Sequence, residues 1–242
     1  MKLLAFDTST EVMSIAVMNG SQLWQHTGAG GAQASAALIP AIQALLVQAG
    51  LKFEQLDAIA FGRGPGSFTG LRTACSVAQG LAFGASAKLQ SGASSPAEVK
   101  VLPIDTLLAV AEEARHRHGV TRVQALLDAR MDEIYVANYE FASDLWRMDE
   151  GVDLIRPENL AVRAGWALAG NVAAAYGARL PQGLQCLEAL PTATAMLRLA
   201  PSLIAAGHAV SAEQALPLYI RDKVAKTTDE RAAERAALSP VN

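Results

Sequence analysis

Four glycines and one proline fall within nine residues, Gly62-Arg63-Gly64-Pro65-Gly66-Ser67-Phe68-Thr69-Gly70. The run lies between two patterned segments. Before it, Asp57 to Phe61 is a short apolar run that predicts a buried strand. After it, Leu71, Cys75, Ala78 and Ala82 recur at helical spacing, so Leu71 to Phe83 predicts a helix with one buried face. Strand, glycine-rich turn and helix in that order form a unit of α/β architecture. The same order puts free backbone N–H groups at a helix start, where an anion can sit. Two readings stay open: an anion cradle, or a tight turn capped by Ser67 or Thr69. The standard phosphate templates do not fit. A P-loop needs Lys and then Ser or Thr after its last glycine, and here Leu71-Arg72 follow. Ser67 stands where the dinucleotide pattern has its third glycine. It also lacks the flanking glycines of a nucleophile elbow.

The rest of the chain extends this pattern. Leu3 to Phe6, Val12 to Met18 and Ser21 to Thr27 predict three antiparallel strands, the last two joined at Asn19-Gly20. Gln33 to Ala49 predicts an alanine-rich helix stopped by Gly50, in which Pro40 marks a kink or a late start. Ala85 to Lys100 reads as a loop or insertion before a strand at Val101 to Ile104. A second unit begins near Asp105. It has a helix from Thr106 to His118 closed by Gly119, then strands at Val123–Leu127, Glu133–Tyr139, Val152–Ile155 and Trp166–Ala169. Pro157 opens a brief helix, and Thr192 to Ala206 forms the last long one. The expected division is a first lobe over 1–104 and a second over 105–225, whose final segment can pack back on the first. A charged, mobile tail follows over 226–242.

Composition narrows the function classes. Of 242 residues, 51% are hydrophobic and 18% charged, which excludes a disordered chain. Mean hydropathy is +0.21, but no apolar run reaches the roughly 18 residues that span a bilayer. Asp7 comes too early for the apolar region of a signal peptide, so the expected compartment is the cytoplasm. A net charge of −3 argues against a surface devoted to nucleic acid. Cys75 and Cys186 form no CxxC pair and read as free thiols. His116 and His118 are two residues apart and point different ways on a helix, so they make no metal pair. Asp7-Thr8-Ser9-Thr10 can meet a metal-bound phosphate or simply close a turn. Asp128 to Tyr135 reads as a charged hairpin.

Four stretches carry a resemblance. Phe6-Asp7-Thr8-Ser9-Thr10, Gly64 to Arg72 (GPGSFTGLR), Asp128 to Tyr135 (DARMDEIY) and Pro217-Leu218-Tyr219-Ile220-Arg221 occur in the order found in the TsaB (YeaZ) family. The chain resembles that family from its first strand almost to its tail. The resemblance implies an α/β, actin-like (ASKHA) fold of two lobes, each with a mixed β-sheet flanked by helices. It also implies a non-catalytic dimerisation or scaffold subunit in the making of N6-threonylcarbamoyladenosine (t6A) at position 37 of tRNAs that read codons starting with A. The implied partners are the catalytic paralogue TsaD and the ATPase TsaE, with a homodimer in isolation and tRNA met only through the complex. No cofactor, metal or catalytic residue is expected. Asp7, Thr8, Gly64, Gly66 and Ser67 are the candidate phosphate or nucleotide contacts. One departure stands out: where the family commonly has a His-Ser pair, this chain has Ala34-Ser35.

The alternative functions are an autonomous ASKHA-type small-molecule kinase and a glycoprotease. The kinase would need a second phosphate loop, and the second lobe offers only Gly165 and Gly170-Asn171. The family pairs through first-lobe helices, which directs attention to two small-residue faces. Ala37, Ala41 and Ala44 share one face of the first helix, and Thr73, Ser76 and Gly80 share one face of the helix after the glycine run. These faces either meet a partner or pack inside their own lobe.

Overall fold

The computed structural model describes residues 1–90, 98–181, 183 and 185–221. The expected tail at 226–242 lies outside these residues, as do 91–97 of the Ala85–Lys100 stretch and 222–225 of the second lobe.

The first sheet contains β1 (Lys2–Asp7), β2 (Val12–Asn19), β3 (Gln22–Ala29), β4 (Ala58–Gly64) and β5 (Lys100–Asp105), in the order β3-β2-β1-β4-β5. β1, β2 and β3 pair antiparallel, whereas β1, β4 and β5 run parallel, so the sheet is mixed. Leu3, Leu4, Ala5 and Phe6 are all buried, because helices cover both faces of the sheet and β1 needs no polar side. Gly20, at φ +63°, closes the β2–β3 hairpin as the Asn-Gly signal predicts. On one face lie α1 (Ala34–Gln48) and α2 (Phe68–Gln90), packed against Leu4, Phe6, Ile15 and Phe61. The expected stripe Leu71, Cys75, Ala78 and Ala82 is buried there.

α3 (Thr106–His118) leads into the second sheet and ends at Gly119, which is left-handed at φ 71° and donates its N–H to Arg115 O. The second sheet is β6 (Arg122–Arg130), β7 (Glu133–Ala142), β8 (Leu145–Ile155), β9 (Ala167–Gly170) and β10 (Cys186–Glu188), in the order β10-β9-β6-β7-β8. It too is mixed. α4 (Val172–Tyr176) follows β9, and α5 (Ala193–Ala205) begins at an N-cap in which Thr192 accepts the Ala195 N–H. α5 then packs on the first sheet, with Ala195, Met196 and Leu199 against Leu3, Ala5 and Ala60.

Several boundaries differ from expectation. The glycine run is not a nine-residue loop. Gly62–Gly64 complete β4 and Phe68–Gly70 begin α2, leaving Pro65–Ser67 as the turn. α2 continues to Gln90, so Ala85–Gln90 is helix rather than loop, and Lys100 already belongs to β5. Ser86 ties this last part of the helix to the chain entering β5: its hydroxyl donates to Ala82 O within the helix and accepts the Val99 N–H. Pro40 lies inside an α1 that starts at Ala34, so the helix does not wait for the proline. β8 is far longer than Val152–Ile155, while α4 and β10 have no counterpart in the sequence reading.

Candidate functional site: the cleft between the two sheets

The four motif stretches lie far apart in sequence and converge on one cleft of about 740 Å³. The first contributes Ser9 and Thr10, and the second Gly66, Ser67, Phe68 and Leu71. The third contributes Asp128 to Met131 and Tyr135, and the fourth Leu218 to Arg221. Leu127, Asn171 and Ala173 to Ala175 complete the second-sheet wall. The volume suits a small-molecule pocket.

The glycine run is shaped by what it touches. A Cβ on Gly66 would stand 2.6 Å from Ser9 Cβ, and one on Gly70 1.9 Å from the Thr8 carbonyl oxygen. The Ser67 N–H donates to Ser9 O at 2.8 Å, and the Thr8 hydroxyl donates to Gly70 O at 2.7 Å. The turn after β1 and the start of α2 are therefore in direct contact, tied by these two hydrogen bonds. Gly64 donates its N–H to Thr106 Oγ1 and backs onto the Leu218 carbonyl.

Of the five candidate phosphate contacts, Gly66 and Ser67 line the cleft, whereas Asp7, Thr8 and Gly64 do not. Asp7 and Thr8 are fully buried. The physical cause is the missing Cβ at Gly66 and Gly70, which lets the two segments close on each other. These residues do not fit a phosphate as a set. The cations of the cleft are also engaged: Arg130 pairs with Glu11 and Asp128, and Arg221 with Glu133. Among the described residues, no cluster of His, Cys, Asp and Glu suits a metal ion.

Asp7 is nevertheless unusual. Its Oδ1 accepts the Ser9 N–H and hydroxyl, at 2.9 and 2.7 Å. Its Oδ2 is buried without a partner, and Gly62 is the one residue type that leaves it room, since a Cβ there would sit 1.8 Å away. Burial raises its pKa from 3.8 to about 7, against the two Ser9 bonds that lower it. The folded state therefore holds a proton that the unfolded chain releases above its ordinary value. Stability contributed by that proton is complete below about pH 4 and is lost as pH rises toward about 7. Asp7→Asn mimics the protonated form, so it should gain on the native chain by roughly 4 kcal/mol between those limits. Urea melts across that range test this; parallel pH profiles for the two proteins would refute it.

The remaining predicted positions lie away from the cleft. Ala37, Ala44, Ser76 and Gly80 are exposed, and Ala41 and Thr73 are half-buried. Ala34, at the departure from the family pattern, is a buried core methyl. Sequence reading missed Glu11, whose pairing with Arg130 bridges the cleft, and gave no role to Arg221. Membership of the fourth motif was the one signal for Arg221.

Comparison with known proteins agrees with this arrangement. Residues 26–237 match the family model for TsaD, tRNA N6-adenosine threonylcarbamoyltransferase. The chain is 33% identical to the tRNA threonylcarbamoyladenosine biosynthesis protein TsaB of Escherichia coli (strain K12), over 93% of this chain and 96% of that protein. It is 34% identical to the protein of the same description from Haemophilus influenzae, over 92% and 94%. The solved structure of YeaZ from Pseudomonas aeruginosa superposes with a TM-score of 0.78 at 38% identity, covering 90% of this chain and 99% of that one. The two mixed sheets with flanking helices are the lobes of an actin-like (ASKHA) fold. With its four motifs gathered on one cleft and this similarity along nearly its whole length, the chain belongs to the TsaB (YeaZ) family.

Proposed function

We propose that this chain is the non-catalytic dimerisation and scaffold subunit of the complex that transfers threonylcarbamoyl to adenosine 37 of tRNAs reading codons that start with A. Its coarser part, a role in tRNA threonylcarbamoyladenosine biosynthesis, is the role named for its relatives. The proposed partners are TsaD as heterodimer and TsaE as ATPase, with a homodimer in isolation, tRNA met only through the complex, and the cytoplasm as compartment. No described helix is long and apolar enough to cross a membrane. A phosphate or nucleotide contact is left with Gly66 and Ser67 alone, too few to form part of the proposal.

The observation that carries the reading is the outer face of α1 and α2. Ala37, Ala44, Ser76 and Gly80 are exposed beside two large apolar residues, Val47 at 80% and Phe83 at 68%. A Cβ on Gly80 or Gly84 would meet nothing within 4 Å. Small side chains flanked by exposed large ones let partner helices approach closely while burying apolar surface. Gly80→Arg should therefore leave the monomer folded, with a melt within a few degrees of the native chain, and abolish the heterodimer peak with TsaD in size-exclusion chromatography. Modification of tRNA should need TsaD, TsaE and supplied threonylcarbamoyl-adenylate together with this chain. Normal TsaD binding by the variant moves the interface elsewhere, and robust turnover by the single chain overturns the scaffold role.

A further inference from the structure

From Leu216 to Arg221 the chain is neither helix nor strand, yet it fastens to both halves of the molecule. Just before it, the Ala215 carbonyl accepts Gln79 Nε2 at 2.8 Å from α2. The Leu218 N–H donates to Arg63 O at 2.7 Å, and the Leu218 carbonyl packs on Gly64. The Tyr219 ring lies 5.3 Å from that of Phe68, over which the Arg72 guanidinium also sits. At the far end, one nitrogen of Arg221 donates to the carbonyls of Ala129 and Arg130, at 3.1 and 3.2 Å, and pairs with Glu133 at 2.6 Å.

The turn that Arg221 grips is conformationally costly. Arg130, Met131 and Asp132 have φ values of 61°, 55° and 60°, three successive left-handed residues with no glycine among them. Such a turn persists only when its surroundings hold it. The guanidinium does so with both prongs of its planar fork: Nη2 gathers the two successive carbonyls and the carboxylate while Nη1 reaches Met131 Sδ, a spread that a single lysine ammonium does not offer. The turn also carries Arg130 and Met131 into the cleft wall.

We infer that Arg221 is a positioning residue that latches the second-lobe wall of the cleft, and that the strap Leu216–Arg221 carries the state of that wall to the first turn of α2. Cleft occupancy and the outer face of α2 are then linked through six residues. The link to a partner rests on the function proposed above; the latch itself does not, so the test uses this chain alone.

In Arg221→Ala the 130–132 turn should relax toward extended conformations that a protease can bind. Trypsin cleavage after Arg130, followed by mass spectrometry, should speed up by roughly tenfold or more. Amide exchange at Ser67 and Leu71, whose N–H groups bond to Ser9 O and Ser67 O, should rise with it. Arg221→Lys keeps the charge for Glu133 but not the fork, and should recover part of the protection. If Arg221→Ala loses its global melt, Tyr219→Ala cuts the other end of the strap and should speed the same cleavage with Arg221 in place. Unchanged cleavage in a folded variant overturns the latch. Faster cleavage with unchanged exchange at Ser67 and Leu71 overturns the coupling.

Discussion

Gly70→Ala should cost this protein about 3 kcal/mol or more, although alanine is the better helix former by about 1 kcal/mol. Gly70 is the third residue of α2 and has an ordinary helical backbone, so conformational freedom is not the reason for glycine. The reason is contact. A Cβ at this position would stand 1.9 Å from the Thr8 carbonyl oxygen and 2.9 Å from its carbon. Thr8 has nowhere to retreat, being fully buried and tied back to Gly70 O by its own hydroxyl. Relief requires α2 to move off the β1–β2 turn, which also strains the Ser67–Ser9 bond. The control lies on the same helix: Gly80 faces open space, so Gly80→Ala should stabilise by about 1 kcal/mol. Urea midpoints for the two variants should thus move in opposite directions. If Gly70→Ala matches the native midpoint, close packing does not explain this part of the motif.

Glu112→Ala should be comparably severe, with a loss of about 3 kcal/mol, the lower end of the range for breaking a buried pair. Glu112 is 2% exposed and accepts four bonds: two from Arg115, one from Trp146 Nε1 at 3.0 Å and one from Arg198 Nε at 2.9 Å. These donors sit on α3, β8 and α5, so one carboxylate joins three elements. Arg198 also binds Glu113, which accepts the hydroxyl of Thr192, the N-cap of α5. Both arginines are partly exposed, at 31% and 26%, which softens the penalty of leaving them unpaired. Burial alone would raise the Glu112 carboxyl, but the three donors bring it below its ordinary 4.5. The contribution is therefore present above that value and is lost as pH falls through the lower folded value. The gap between native and Glu112→Ala chains in chemical denaturation should be full at neutral pH and close in acid. A loss under about 1 kcal/mol would mean that the pair behaves as an ordinary surface ion pair.

These two positions show what was legible and what was not. In sequence, Glu112 and Arg115 form an i,i+3 pair on a helix, a pattern typical of solvated faces. Nothing local announces that Trp146 and Arg198 close over it. The glycine run was legible as a landmark but not as a set of contacts. Gly62 faces Asp7, Gly66 faces Ser9, Gly70 faces Thr8 and Gly64 faces Leu218, each across a long stretch of chain. What each glycine of that run accommodates is set by these neighbours and not by glycine spacing.

Local periodicity by itself determined the order of the principal strands and helices, the hairpin at Gly20, the helix stop at Gly119 and the buried stripe of α2. Each depends on residues within a turn or two of one another, where hydrogen-bond geometry and side-chain period act directly. Tertiary structure decided the length of α2, the inward closure of Asp7 and Thr8, and the gathering of four motifs on one cleft. It also decided which faces of α1 and α2 stay in solvent. Those outcomes rest on close approach between distant segments, and whether a Cβ clears a carbonyl is settled only when both are in place.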